Sequence, residues 1–334
     1  MEFSINKLRL ELKYVWKISR NSSTYKVNYI VTIKENNLVA HGEVAPNSRY
    51  NETTETIEKG FEQFLSVVGN SNINYLDLAE IFNKIKIPNA LKFGIEQACI
   101  NLFCLKNRLN LAGFLKVNAK QQAATCYTLP IMDAADVIPF FNQYNLQRFK
   151  YLKVKVGSTN QTDMLNELFK VYNGKLMIDG NEAWTNPDDV MMFEESIDKS
   201  KILFIEQPMP ALHVDEYVYL KKHLKLPIIA DESCLDSVDF SLIKQQFSGI
   251  NVKLMKAGGI LNGLHLINEA KKHNLITMIG CMVETTLAMH AAWVLASLTN
   301  YADLDGYMII SNEPFCYLAE NDGMVCESGI NVRL

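Results

Sequence analysis

No apolar run in the chain is long enough to cross a bilayer. The opening residues, MEFSINKLRLELKY, alternate apolar and charged side chains instead of forming the apolar stretch of a secretion signal. No membrane partner is expected, and a cytoplasmic location is. An excess of one charge is also lacking, with a formal net charge of only -4 over 334 residues. Such a balance attracts neither nucleic acid nor an anionic membrane surface. The seven cysteines are odd in number and include no CxxC, which argues against a disulfide framework and a thiolate zinc site. Cys99 and Cys104 fall in an apolar helical stretch and read as packing residues. No GxGxxG follows a predicted strand, which weakens the case for an open, dinucleotide-binding sheet.

What is present is an ordinary globular composition, 48% hydrophobic and 21% charged, on a length that suggests about two domains. The first third reads as α+β. Strands are expected over Phe3–Lys13 and Val27–Glu35, a turn at Glu35-Asn36-Asn37, and helices over Thr53–Val68 and Asn89–Lys106. From Ala124 short apolar strands alternate with amphipathic helices. The strands are Thr125–Leu129, Tyr151–Val156, Leu176–Asp179, Leu203–Glu206, Ile228–Asp231, Gly249–Leu254, Ile276–Cys281 and Ala302–Gly306. Helices between them include Asp163–Val171, Asp188–Ser196, Asp215–Lys222 and Leu261–Lys272. Eight buried strands in β-α alternation predict a parallel α/β barrel.

Side chains at the C-terminal ends of such strands open into one mouth. Three consecutive strands end in acids: LMID at Asp179, LFIEQP at Glu206 and PIIADES at Asp231. Carboxylates converging there repel unless a cation sits among them. Oxygen-only ligation points to Mg2+, with Mn2+ as the alternative ion. Acids at strand ends also serve as helix N-caps, and that alternative stays open.

The strand YLKVKVG precedes these acids. Lys153 and Lys155, two apart, share one face, and Leu152, Val154 and Val156 take the other. Two close ammonium groups are expected to lower each other's pKa and favour a neutral amine, as a general base requires. Lys253, in INVKLMKAGG, is placed across the barrel with the acids between. A substrate carboxylate held by the metal could then lose its α-proton to one lysine and regain a proton from the other, inverting the centre. Each lysine alone could instead be an ion-pair partner of the acids. No histidine is placed on a strand; His213, His223, His273 and His290 fall in helical or connecting segments.

The set KVKVG, DGNEAW, EQP, ADES and NVKLMKAGG resembles the muconate-lactonizing-enzyme subgroup of the enolase superfamily, and the likeness covers essentially the whole chain. The resemblance implies a modified TIM barrel, (β/α)7β, with an N-terminal α+β capping domain. The cap would span residues 1–120 and the barrel 121–307, and a tail from about 308 to 334 would return to the cap. It also implies Lys155 and Lys253 as the acid/base pair, with Lys153 touching the substrate carboxylate and tuning Lys155. Asp179, Glu206 and Asp231 would bind Mg2+, supported from behind by Asn181 and Glu232. Such folds are often homo-oligomers.

Within the subgroup, Asp303 and Asp305 in ADLDGY resemble the motif with which dipeptide epimerases bind the substrate's ammonium, although an Asx turn before Gly306 would also use them. Arg20, in KISRNSSTYK, resembles the arginine that pairs with the glutamate side chain in Ala-Glu epimerases; a solvated surface arginine is the alternative. Thr128 and Cys281 match substrate-lining positions. The implied activity is therefore epimerisation of a dipeptide, L-Ala-L-Glu to L-Ala-D-Glu, a murein-type peptide. The alternatives are o-succinylbenzoate synthase or muconate cycloisomerase chemistry and, from another class, a Schiff-base aldolase. The chain departs from the family pattern at Asn101, often Asp there, and at ESGINV, which lacks the usual Pro-Gly. Glu284 lies at the same mouth without an assigned role.

Overall fold

The structure is a computed structural model and describes residues 1–17, 22–69, 71–157 and 161–329. The chain opens with an antiparallel sheet of β1 (Glu2–Lys17), β2 (Ser22–Glu35) and β3 (Leu38–Val44). The expected turn between β2 and β3 places Asn36 in the left-handed region, at φ 53°, which asparagine tolerates. The helix Thr54–Val68 begins with a reciprocal Thr53–Thr56 cap and buries Ile57, Phe61, Phe64 and Val68 on one face. The helix Asn89–Asn107 lies directly on β3. A Cβ at Gly42 would stand 2.0 Å from the Gly94 carbonyl oxygen, so two facing glycines permit that approach. The helix stops at Arg108, in a left-handed conformation, and a short helix, Leu111–Leu115, follows. Asn101 donates to the His41 carbonyl at 2.8 Å. His41 itself lies on β3, contrary to the expectation that no strand carries a histidine; its ring meets the Thr32 hydroxyl at 3.0 Å.

After β4 (Gln122–Ala124), eight parallel strands follow one another in space in chain order. They are β5 (Thr128–Leu129), β6 (Tyr151–Lys155), β7 (Lys175–Asp179), β8 (Ile202–Glu206), β9 (Ile228–Ala230), β10 (Gly249–Lys253), β11 (Ile276–Gly280) and β12 (Tyr301–Ala302). The sheet curls until its ends meet, where the Cys126 amide donates to the Ala302 carbonyl at 3.3 Å. The fold is thus an α+β cap on an eight-stranded parallel barrel. Alternation along the strands sets its layers. Leu152, Val154 and Val156 face the main core. Cys126, Tyr151, Met177, Phe204, Ile229 and Met278 form a separate apolar plug inside the barrel. No helix among the described residues is long and apolar enough to cross a membrane.

Beyond β12 the chain runs along β1, where the Lys13 amide donates to the Ile309 carbonyl at 2.8 Å and Leu12 bridges Ile310. It then forms a hairpin, β13 (Leu318–Asn321) and β14 (Met324–Glu327), whose second strand pairs with β4.

Buried polar side chains join cap to barrel. Glu43 on β3 accepts from Asn28 at 2.8 Å and from the Thr285 amide and hydroxyl at 3.0 and 2.5 Å. Gln97 accepts from the Glu43 amide at 2.9 Å and donates to the Leu287 carbonyl at 2.8 Å. Glu96 accepts the first amides of the barrel helix Ile260–Lys272, those of Ile260 and Leu261.

Burial pushes the Glu96 carboxyl up to about 7, outweighing the two backbone donors. A carboxyl raised in the folded state stabilises fully below its ordinary value, and that contribution is lost as pH rises through the folded one. Relative to Glu96→Gln, the wild-type protein should therefore lose ~3 kcal/mol of unfolding free energy between pH 4.5 and about 7. Urea unfolding of both proteins across that window checks this; parallel curves would refute it.

Candidate active site

Asp179 closes β7 and Glu206 closes β8, paired in register; Asp231 follows the last residue of β9. None of the three is more than 2% exposed. Lys155, opposite Asp179 in the β6–β7 register, places its ammonium 2.9 Å from Asp179 and 2.7 Å from Asn181. Lys253, at the end of β10, lies 2.9 Å from Asp231. In the strand order β6-β7-β8-β9-β10 the two ammonium groups therefore stand at opposite ends of the row of acids. Lys153, one inward position below Lys155, bonds in the middle, 3.0 Å from Asp179, 2.9 Å from Glu206 and 2.9 Å from Asp303.

The expectation that clustered lysines lower one another's pKa is not met at Lys153. Burial works in that direction, but Asp179, Asp303 and Glu206 together hold it well above the ordinary lysine range. Lys253 is likewise raised against burial, chiefly by Asp231. The acids answer in kind. Burial disfavours charge on Asp179 and Asp231, yet the lysines draw both well below the usual carboxylate range. Glu206 differs. Burial, with Asp179 and Asp231 on either side, outweighs Lys153 and pushes it up to about 7.

Glu206 Oε1 accepts from the Asn251 amide at 2.8 Å. Its Oε2 is fully buried and has only the Lys153 ammonium beside it, at 2.9 Å. A buried, donor-poor oxygen in an all-carboxylate set fits a hard divalent cation. Among the described residues a tighter acid cluster is Cys126, Asp303 and Asp305, with ligand atoms within 4.8 Å of one another. That cluster is already satisfied within the protein: the Cys126 thiol donates to Asp303 at 3.0 Å, and Lys153 holds the other oxygen of Asp303. In the row Asp179–Glu206–Asp231 each acid has a lysine ammonium within 3.0 Å.

Asp303 and Asp305 lie just past β12, on the same cavity as Lys155 and Lys253. Asp305 accepts from the Thr128 amide at 2.5 Å. Burial and then Asp303 push Asp305 up to about 7. Thr128, Cys281, Asn181 and Glu232 line this cavity too. The Asn181 amide donates to Asp179 at 3.0 Å, so Asn181 touches both an acid of the row and Lys155. Arg20 lies outside the described residues. The other candidate site residues line this cavity or, as with Asp179 and Glu206, contact a lysine that does.

It also adds some. Lys256, one helical turn after Lys253, returns to Asp231 at 2.5 Å; the sequence showed the lysine but not that turn. Trp16, at the far end of β1, stands over Lys155, with 5.9 Å between ammonium and ring centre. Arg49 from the cap forks onto Glu182 beyond β7 at 2.7 and 2.8 Å. Glu284, already placed at the mouth by the sequence, accepts from the Met282 amide at 2.7 Å and is pushed up to about 8 by burial.

A buried row of three carboxylates flanked by opposed lysines lies at the C-terminal mouth of a capped barrel. Residues 140–322 match the family described as "Enolase C-terminal domain-like", and the chain belongs to the enolase superfamily. It is 28% identical over 333 residues to the L-Ala-D/L-amino acid epimerase of Flavobacterium johnsoniae, covering 99% of this chain and 98% of that one. It is 30% identical over 324 residues to the hydrophobic dipeptide epimerase of Enterococcus faecalis, covering 92% and 90%. The crystal structure of the dipeptide epimerase from Enterococcus faecalis, complexed with Mg and the dipeptide L-Leu-L-Tyr, superposes with a TM-score of 0.87. That pair is 26% identical, with 97% and 96% of the two chains covered. Within the superfamily, the chain belongs to the dipeptide epimerases.

Burial raises the thiols of Cys126 and Cys281 well above the ordinary cysteine value, so neither is a nucleophile or base near neutrality. Iodoacetamide at mildly alkaline pH should alkylate exposed Cys316 and leave both mouth thiols intact, as peptide mass mapping would show. Preferential labelling of Cys126 or Cys281 would reopen thiol chemistry at this site.

Proposed function

We propose that this protein epimerises dipeptides at the α-carbon of the C-terminal residue, with L-Ala-L-Glu and L-Ala-D-Glu as the interconverted pair. The observation that carries the reading is the pair of ammonium groups, on Lys155 and Lys253, at opposite ends of one row of acids. Inversion needs this arrangement, since a proton must leave one face of the α-carbon and arrive at the other. Lys155 and Lys253 are the two acid/base catalysts, one accepting a proton while the other donates. Lys153, lower in the barrel, meets the substrate carboxylate and adds positive charge beside it. Asp179, Glu206 and Asp231 would hold Mg2+, or Mn2+ in its place, with Asn181 and Glu232 behind them. When bound, the ion supplies positive charge where the substrate carboxylate gains electron density. The apolar plug beneath keeps water away from that charge, which strengthens each interaction above it.

Asp303 and Asp305 supply two carboxylates for the dipeptide's free ammonium. This favours a dipeptide over the substrates of o-succinylbenzoate synthases and cycloisomerases, which carry no ammonium. Thr128 and Cys281 shape the pocket beside them. The Flavobacterium johnsoniae relative is named for an L-Ala first residue, which supports alanine there. Arg20 would take the glutamate side chain.

Lys155→Ala and Lys253→Ala should each lower the epimerisation rate by about 10²-fold or more. Each variant should still exchange the α-proton of one substrate epimer, a different one in the two variants, when followed by mass spectrometry in D2O. Normal epimerisation by both would end the two-base reading. Mg2+ should raise the melting temperature of the wild-type protein and leave Glu206→Gln nearly unmoved, since a ligand that binds only the folded state stabilises it. Equal shifts in the two would remove Glu206 from the ion site.

A further inference from the structure

Lys26 on β2 is a mouth residue that the proton-transfer scheme does not use. It lines the cavity that holds Lys155, Lys253 and Asp303. Among the described residues nothing forms a hydrogen bond or ion pair with its ammonium. Burial lowers its pKa, and no carboxylate offsets the effect. A half-buried cation without a counter-charge is costly, and lysines elsewhere in this mouth are all paired.

Its position identifies which part of a ligand it meets. Lys26 shares a strand face with Asn28, two residues on, and the Asn28 amide donates at 2.9 Å to the Val283 carbonyl in the loop after β11. On the neighbouring strand, Lys26 pairs with Leu10, and β1 is joined to the segment after β12 through Lys13 and Ile309. Lys26 therefore overlies the β11–β12 flank, which carries Asp303 and Asp305. Trp16 stands over Lys155 on β6, two strands from β12 around the closed barrel. Both acids on the β11–β12 flank are already engaged, Asp303 by Lys153 and Cys126 and Asp305 by Thr128.

We infer that Lys26 is a specificity-determining residue that pairs with a carboxylate side chain on the N-terminal residue of the substrate, so that dipeptides beginning with an acidic residue bind more tightly than their neutral isosteres. The inference rests on the dipeptide reading, whose Asp303 and Asp305 hold the adjacent ammonium. It extends the pair named above, since an alanine at the first position leaves Lys26 without a partner.

The test is calorimetric binding of L-Glu-L-Glu, L-Gln-L-Glu and L-Ala-L-Glu to the Mg2+-loaded protein, its Lys26→Met variant and its Lys26→Arg variant. The wild-type protein should bind L-Glu-L-Glu about ten- to a hundredfold more tightly than its near-isostere L-Gln-L-Glu, the range of a charge-assisted pair. Lys26→Met should erase that ratio and leave L-Ala-L-Glu within about twofold; Lys26→Arg should keep most of it. Equal wild-type affinities for the Glu and Gln dipeptides overturn the proposal. So does a Lys26→Met variant that loses L-Ala-L-Glu as strongly as L-Glu-L-Glu, which would place the cation at the second residue. A Glu-over-Gln preference without α-proton exchange in D2O upholds the role of Lys26 and rejects the epimerase activity, so the two failures are separable.

Discussion

The attraction between buried acids and buried lysines inside the barrel mouth governs the rest of this molecule. Asp179, Glu206 and Asp231 could not share a dry cavity if only neighbouring carboxylates faced them. Lys153, Lys155, Lys253 and Lys256 supply the opposing charge, each at hydrogen-bonding distance from an acid. Strand register makes this possible, because alternate residues of adjacent strands meet at one level and a single slip would turn them outward. The apolar plug of Tyr151, Met177, Phe204 and Met278 fixes that level from beneath.

The cap completes the cavity, and buried polar contacts keep it in place. Glu43 and Gln97 link β3 and the long cap helix to the loop and helix after β11, and Glu96 reaches the start of the helix after β10. Removing one member would leave its partners buried and unsatisfied, a larger cost than the bond itself contributes. The cap therefore holds Asn28, Lys26 and Trp16 at fixed positions over chemistry carried by other strands.

Much of this was legible in the sequence because barrel strands are continuous apolar runs whose last residue is polar. Asp179 and Glu206 end their strands as expected. Asp231, Asp303 and Asp305 fall just beyond theirs, since β9 and β12 stop where pairing with their neighbours stops. The inward alternation of Lys153 and Lys155 could also be read directly. Their electrostatics could not, because like charges two residues apart are visible in a sequence while acids from distant strands lodged between them are not. Trp16 was missed for a local reason: the register shift between Glu11 and Trp16 breaks the alternation that marks a strand. The polar run from Ser22 to Lys26 reads as loop, and only pairing with β1 makes it sheet. Lys256 needed the turn that folds it back onto Asp231.

The tail follows one more path with a mechanical result. It touches β1 at Ile309 and Ile310, passes down the molecule, and ends its described course as a strand beside β4, which leads into the barrel. Roof and foundation are thereby stitched by a single thread. Force or heat that frees one end of that thread slackens the seam at both, so the lid and the barrel beneath it are expected to come apart together.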